Sequence, residues 1–211
     1  MTLAEAAEIL VRIGADFHRR GWALGTSGNF SAVLSRDPLR LAVTASSIDK
    51  GSMHPAEILE IDAAGRDLNG SAGRPSAETL LHIAVVHATG AGAVLHTHSV
   101  WSTVLSDYYF QQHGFFIEGY EMLKGLQDVE THEHREWIPV LENTQDIPAL
   151  ARQVRALLSE HPRAHAFLIR RHGLYTWGRD LKTAIRHIEI LEFLLESVGR
   201  RQMMGGNSSR G

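Results

Sequence analysis

The chain contains no cysteine. Disulfides, thiolate metal ligands and thiol nucleophiles are therefore excluded, and a metal site here has to be built from imidazole nitrogen and carboxylate oxygen. An excess of positive charge is lacking as well. The 21 Lys and Arg residues against 24 Asp and Glu give a formal net charge of −3, which argues against a nucleic-acid partner. No stretch approaches the ~20 uninterrupted apolar residues of a membrane span, and even the smooth run 88–95 is short and flanked by histidines. Met1-Thr2-Leu3-Ala4-Glu5 shows no basic segment leading into an apolar run, so it does not read as a signal peptide. These absences predict a soluble, cytoplasmic protein with no membrane partner. Internal repeats, heptads and interior low-complexity segments are missing too.

What the chain does have is 13 histidines in 211 residues, a supply of neutral nitrogen ligands where no sulfur ligand exists. Its length and 44% hydrophobic content suit one compact domain, expected over 1–203 with a disordered tail at 204–211.

Apolar residues at helical spacing from Leu3 to Phe17, stopped by Arg19-Arg20-Gly21, predict an amphipathic helix. Short strands are expected at 30–34, 39–44 and 58–61, and the segment 69–73 reads as a loop. Pro75 and Ser76 are expected to open a second helix through Thr89, with Ser76 as N-cap. A buried strand at 93–97, a short helix from about Ser99, a strand at 137–141 and a helix at 147–159 follow. Two short strands, 166–170 and 174–177, precede a last helix from Asp180 to about Arg201. The segment 111–136, rich in glycine, charge and histidine, yields no assignment. The pattern gives an α/β domain without fixing its sheet topology.

The sharpest chemical signal is His96-Thr97-His98 at the end of an apolar strand. Residues at i and i+2 of a strand share a face, so the two imidazoles converge on one ion. Zinc takes such nitrogens at ~2.0–2.1 Å, with three protein ligands and an open position in catalytic sites. His172, between two short apolar strands, is the best third ligand. His82 and His87 lie five apart on the second helix, poor spacing for chelation, and read as packing or surface residues. His132 and His134 sit in a polar stretch and read as a solvated loop.

Two turns look suited to an anion. Gly25-Thr26-Ser27-Gly28-Asn29 offers backbone approach, hydroxyls and an amide, and the turn from Ser46 and Ser47 to Lys50 and Gly51 offers hydroxyls and a cation. With the helix start at Ser76 they could cradle a phosphate. Neither has P-loop spacing. Glu78 and Glu121 are candidate proton-transfer groups, although a glutamate in a first helical turn is also a favourable dipole partner.

Thr26-Ser27-Gly28-Asn29, the 44–51 turn, Pro75-Ser76-Ala77-Glu78, His96-Thr97-His98 and Arg171-His172-Gly173 occur in that order. The chain thereby resembles the class II aldolase/adducin family over about residues 3–198. The segments 120–125, 139–144 and 170–178 look closest to the branch that dehydrates methylthioribulose 1-phosphate in methionine salvage. The resemblance implies a three-layer α/β/α fold around a mainly antiparallel central sheet, and a homotetramer with sites near subunit interfaces. It also implies one zinc ion per subunit held by His96, His98 and His172. The phosphate of a sugar-phosphate substrate would fall to Ser27, Gly28, Asn29, Ser46, Ser47 and Ser76, with Lys50 added. Glu121 matches the dehydratases' acid/base and Glu78 the aldolases' catalytic carboxylate. Ala77 departs from the aldolases, which often have a second serine there. Alternatives are a sugar-phosphate aldolase or 4-epimerase and, from a different class, a non-catalytic assembly domain like the adducin head.

Overall fold

The computed structural model describes residues 1–70 and 73–205. Among these, eight strands form one sheet: β1 (Asn29–Arg36), β2 (Leu39–Thr44), β3 (Ile58–Asp62), β4 (Ala93–Thr97), β5 (Gly114–Glu118), β6 (Arg135–Leu141), β7 (Ala166–Ile169) and β8 (Gly173–Gly178). Their order is β3-β2-β1-β4-β8-β7-β6-β5. Every neighbouring pair is antiparallel except β6 and β7.

Among the described residues, five α-helices cover the sheet: α1 (Leu3–Arg19), α2 (Thr79–Thr89), α3 (Val100–Tyr108), α4 (Ile147–Glu160) and α5 (Leu181–Gly205). Strand alternation divides the core in two. Ala93, Leu95, Ala166 and Leu168 pack with α1, α3 and α5 on one face. Val94, Phe167, Ile169 and Trp177 pack with α2 and α4 on the other. Because both faces are covered, the central strands read as continuous apolar runs, and the expected three-layer α/β/α arrangement with a mainly antiparallel sheet is the one found.

Local chemistry explains most element boundaries. Thr2 and Glu5 close a capping box on α1, satisfying two N–H groups that a helix start leaves free. Ser99 caps α3 by accepting the Ser102 N–H. Ser76 is not the N-cap of α2. The helix starts at Thr79, and Ser76-Ala77-Glu78 form a preceding turn in which Ser76 Oγ accepts the Glu78 N–H at 3.2 Å. Glu78 occupies the cap position without capping, because its carboxylate is engaged elsewhere, as described below.

The unassigned segment 111–136 holds all of β5 and the first residues of β6. Its pattern misleads because Glu136, a buried inward position of β6, carries charge where a core strand ordinarily carries a hydrocarbon. The last helix runs past Arg201 through Met204 to Gly205. The rest of the expected tail, and Ser71 and Ala72 of the expected 69–73 loop, lie outside the described residues. No helix among the described residues is long and apolar enough to cross a membrane.

Candidate active site

β4 is the central strand from which the site is built. Val94 packs towards α2 and α4, so the pleat sends His96, two residues on, to that same face, while Thr97 points to the α5 side. The His98 N–H donates to Trp22 O at 2.7 Å, which fixes the chain just beyond the strand. His172 arrives from the β7–β8 turn, where its N–H donates to Ile169 O at 3.1 Å and Arg171 adopts φ 53°.

The three imidazoles converge. His98 Nε2 lies 2.7 Å and His172 Nε2 3.3 Å from His96 Nε2, and one ligand atom from each ring falls within 4.8 Å of the others. His96 is fully buried, stacks on Tyr175 with ring centroids 3.9 Å apart, and its Nδ1 contacts Leu174 O at 3.0 Å. That carbonyl requires a proton on Nδ1, so Nε2 presents its lone pair to the cluster. Burial pushes the His96 imidazolium well below its ordinary pKa and holds His98 at about 4, so both rings are neutral ligands at neutral pH. Three ring nitrogens that converge on one point, with the His96 lone pair facing the other two rings, are an arrangement that one shared cation satisfies. The all-imidazole donor set suits a borderline divalent transition metal rather than the oxygen-seeking Mg²⁺ or Ca²⁺. The residues fit a metal.

Beside this triad stands Glu78. Its Oε1 lies 3.1 Å from His172 Nε2, and its Oε2 accepts from Asn29 Nδ2 at 2.6 Å. Burial pushes its carboxyl up, but the His172 contact and the Asn29 hydrogen bond outweigh burial and hold the group below the usual carboxylate range. Asn29 is placed by β1, whose register sets it opposite His96.

Behind Asn29 stands His82. Its Nε2 contacts Asn29 Oδ1, and its Nδ1 lies 2.7 Å from Ser31 Oγ. The assignment that satisfies every partner runs Ser31 O–H to His82 Nδ1, His82 Nε2–H to Asn29 Oδ1, and Asn29 Nδ2–H to Glu78. Full burial lowers the His82 pKa to about 4, consistent with the neutral ring this chain requires. Reading His82 against His87, which is exposed, misses this role. Its spacing from Glu78, at i and i+4, is the signal that puts the two on one helical face.

The two turns chosen for an anion do meet. A cleft of about 210 Å³ is lined by Ser27, Gly28, Asn29, Ser46, Ser47, Lys50 and Ser76 together with Glu78, His98 and His172. Lys50 is buried, and its Nζ donates to Ile48 O at 2.7 Å and Thr26 O at 3.3 Å, tying the turns together. Burial lowers its pKa. An adjoining hollow of about 320 Å³ shares Ser46, Ser76, Glu78 and His172 and adds Asn143, Thr144, Ile147 and Leu150.

Glu121 is not brought to this cleft. It opens a short 3₁₀ turn, Glu121–Gly125, with its side chain 73% exposed and paired to Lys124 Nζ at 2.7 Å. The Lys124 hydrogen bond and charge lower its pKa, opposite to the rise expected of an acid that must stay protonated. His132 lies on the same exposed surface, 3.7 Å from Glu121. His134 lies in the expected loop but is only half-exposed. It contacts Glu136 Oε2 at 2.7 Å, and Glu136 also meets His165.

The chain matches the model of the "Class II Aldolase and Adducin N-terminal domain" over residues 8–198. It is 43% identical over 194 residues to the methylthioribulose-1-phosphate dehydratase of Marinobacter nauticus, covering 92% of each chain. It is 45% identical over 192 residues to that of Methylococcus capsulatus, covering 90% of this chain and 91% of the relative. Among solved structures, it is similar to YgbL of Klebsiella pneumoniae at 26% identity with a TM-score of 0.79, covering 95% of this chain and 91% of that one. The l-fuculose-1-phosphate aldolase of Thermus thermophilus shares the fold, with a TM-score of 0.75 at 22% identity over 97% and 99% of the two chains. With its ordered motifs, its imidazole triad and its mixed eight-stranded sheet, the chain belongs to the class II aldolase and adducin family.

Proposed function

We propose that the chain is a zinc-dependent hydro-lyase that converts 5-methylthioribulose 1-phosphate to 2,3-diketo-5-methylthiopentyl 1-phosphate in methionine salvage, acting in the cytoplasm. The observation that carries this reading is the cleft itself, where three convergent imidazoles, a buried carboxylate and a ring of hydroxyls with Lys50 surround one space. The relatives' names narrow the chemistry from the family to dehydration.

The substrate carries a ketone at C2, hydroxyls at C3 and C4, phosphate on C1 and a methylthio group on C5. The chemistry that zinc held by His96, His98 and His172 would supply is Lewis acidity at the ketone, which lowers the cost of removing the C3 proton. Ser27, Ser46, Ser47, Ser76, the Gly28 and Asn29 backbone and Lys50 bind the phosphate. The apolar Ile147 and Leu150 in the adjoining hollow suit the methylthio end.

Glu78, ionised and held by Asn29 and His82, takes the proton from C3. The electron pair moves to the C2–C3 bond, giving an enediol that expels the C4 hydroxyl as water once that oxygen is protonated. Ketonisation at C3 then yields the diketone, so one water leaves and nothing is oxidised overall. Glu121 remains our candidate for the proton given to the C4 oxygen. Its exposure means that it acts only where an oligomer sets this turn of a neighbouring copy over the cleft.

Incubating the purified protein with methylthioribulose 1-phosphate tests the reading. The expected product is the diketone. A two-carbon and three-carbon split from retro-aldol cleavage would instead establish the aldolase alternative. In the same assay, Glu78→Gln and Glu121→Gln should each lower kcat by ~10²–10⁴-fold with metal retained. Near-normal turnover in either variant removes that carboxylate from the mechanism.

A further inference from the structure

At the opposite end of the strands from the imidazole triad lies a second set of convergent donors. His134 and Glu136 stand two apart at the start of β6, so they share a face in the way His96 and His98 do. His165 immediately precedes β7, the parallel neighbour of β6. Glu136 Oε2 lies 2.7 Å from His134 Nε2 and 2.9 Å from His165 Nδ1, and all three donor atoms fall within 4.8 Å of one another.

The outward side of the set is anchored. His165 Nε2 contacts Gln127 O at 2.7 Å, which requires a proton there and leaves Nδ1 free to act as a ligand. Glu136 Oε1 accepts the His165 N–H at 3.0 Å, which orients the carboxylate. A metal-ligating histidine ordinarily donates its second ring N–H to a carbonyl in this manner. The Glu136 side chain is 2% exposed and that of His165 13%, so a cation here would be largely enclosed. His134 faces a cavity of about 480 Å³ that His165 and Asp128 also line; water from it can complete a coordination shell, and Asp128 adds negative charge. None of the residues lining the catalytic cleft lines this cavity.

We propose that His134, Glu136 and His165 form a second metal site, taking a borderline divalent cation such as zinc and separate from the imidazole triad. Two imidazoles and one carboxylate with open positions are a donor set for such ions. The site joins β6, the residue before β7 and the segment at Gln127, whose N–H is in turn held by His187 Nε2 at 2.9 Å. Its role is therefore to fasten this edge of the sheet. The competing state carries no metal and has a proton on both His165 nitrogens, making an imidazolium–carboxylate pair with Glu136.

Metal counting separates the two states without reference to substrate. Chelator-stripped protein is titrated with zinc alone in a calorimeter, and bound metal is counted by elemental analysis after desalting. The expected stoichiometry is two zinc ions per chain for the wild type, one for His134→Ala and one for the His96→Ala, His98→Ala double variant. His134 is the most exposed of the three ligands, so its truncation is the variant the fold tolerates best. If the double variant does not fold, wild type against His134→Ala decides. Cobalt(II) absorption in wild type and His134→Ala provides a second readout, with one set of bands lost in the variant. A single zinc per chain that His134→Ala leaves in place overturns the proposal in favour of the imidazolium pair. Two zinc ions retained in His134→Ala overturn it as well.

Discussion

Glu192 lies on α5 behind the metal-ligand strand, 3% exposed, accepting from Thr97 Oγ1 at 2.8 Å. Burial raises its pKa to about 7, against hydrogen bonds from Ser99 and Thr97 that lower it. Between about pH 4.5 and 7 the folded chain keeps a proton that the unfolded chain has released, so stability is fullest at the acid end of that window and falls as pH rises through it. Glu192→Gln removes the buried charge. It should stabilise the protein at pH 8 by about 1–3 kcal/mol and lose the advantage by pH 5, as denaturant titrations at the two pH values would show; an advantage equal at both would refute the buried-charge account. His82 offers a second residue-scale test. His82→Leu deprives Asn29 of its donor and loosens Glu78, so kcat should drop roughly 10–100-fold with metal content unchanged. Turnover and metal measured on one preparation check this, and unaltered turnover would mean that Asn29 and Glu78 hold their positions without it.

At the scale of elements, the site depends on how closely β4 is approached from both sides. Gly28, with φ +76°, stands where an added Cβ would lie 2.8 Å from His96 O. Alanine there meets both the left-handed penalty of roughly 1–2 kcal/mol and a collision with the strand that carries the ligands. Gly28→Ala should therefore weaken zinc at the triad at least tenfold while circular dichroism stays near native; undiminished affinity would show that β4 can shift without disturbing its histidines. The same strand illustrates how far pattern reaches. Ala93–Thr97 reads correctly because the apolar run Ala93, Val94 and Leu95 opens a strand that is buried throughout. β5 and the start of β6 escape because Phe116 is exposed while Glu136 is buried, so the apolar–polar alternation that marks a strand is scrambled.

For the whole molecule, a metal that binds only the folded chain adds its binding free energy to stability. Stripping it with a chelator at a metal concentration about 100 times Kd removes about 2.7 kcal/mol, which for a chain of this size lowers Tm by roughly 5–10 °C. Differential scanning calorimetry with and without chelator reads the shift, and restoration by zinc completes the test. An unchanged Tm would mean that the folded chain holds no metal under those conditions.

The sequence by itself determined the elements with strong periodicity, the absence of sulfur ligands, the i, i+2 placement of His96 and His98, and the turns that approach the cleft. These depend on local spacing, and spacing along a strand or helix is what a sequence records directly. Only the tertiary structure decided that His172 closes the triad beside Glu78, that His82 stands behind Asn29, that Glu121 faces outward on a charged turn, and that His134 meets Glu136 and His165. The triad rests on β4 lying beside β8, the Glu136 cluster on β6 lying beside β7, and His82 on α2 packing over β1. Strand order is set by the burial of both sheet faces under five helices, a property of the packed whole that no local window of residues contains.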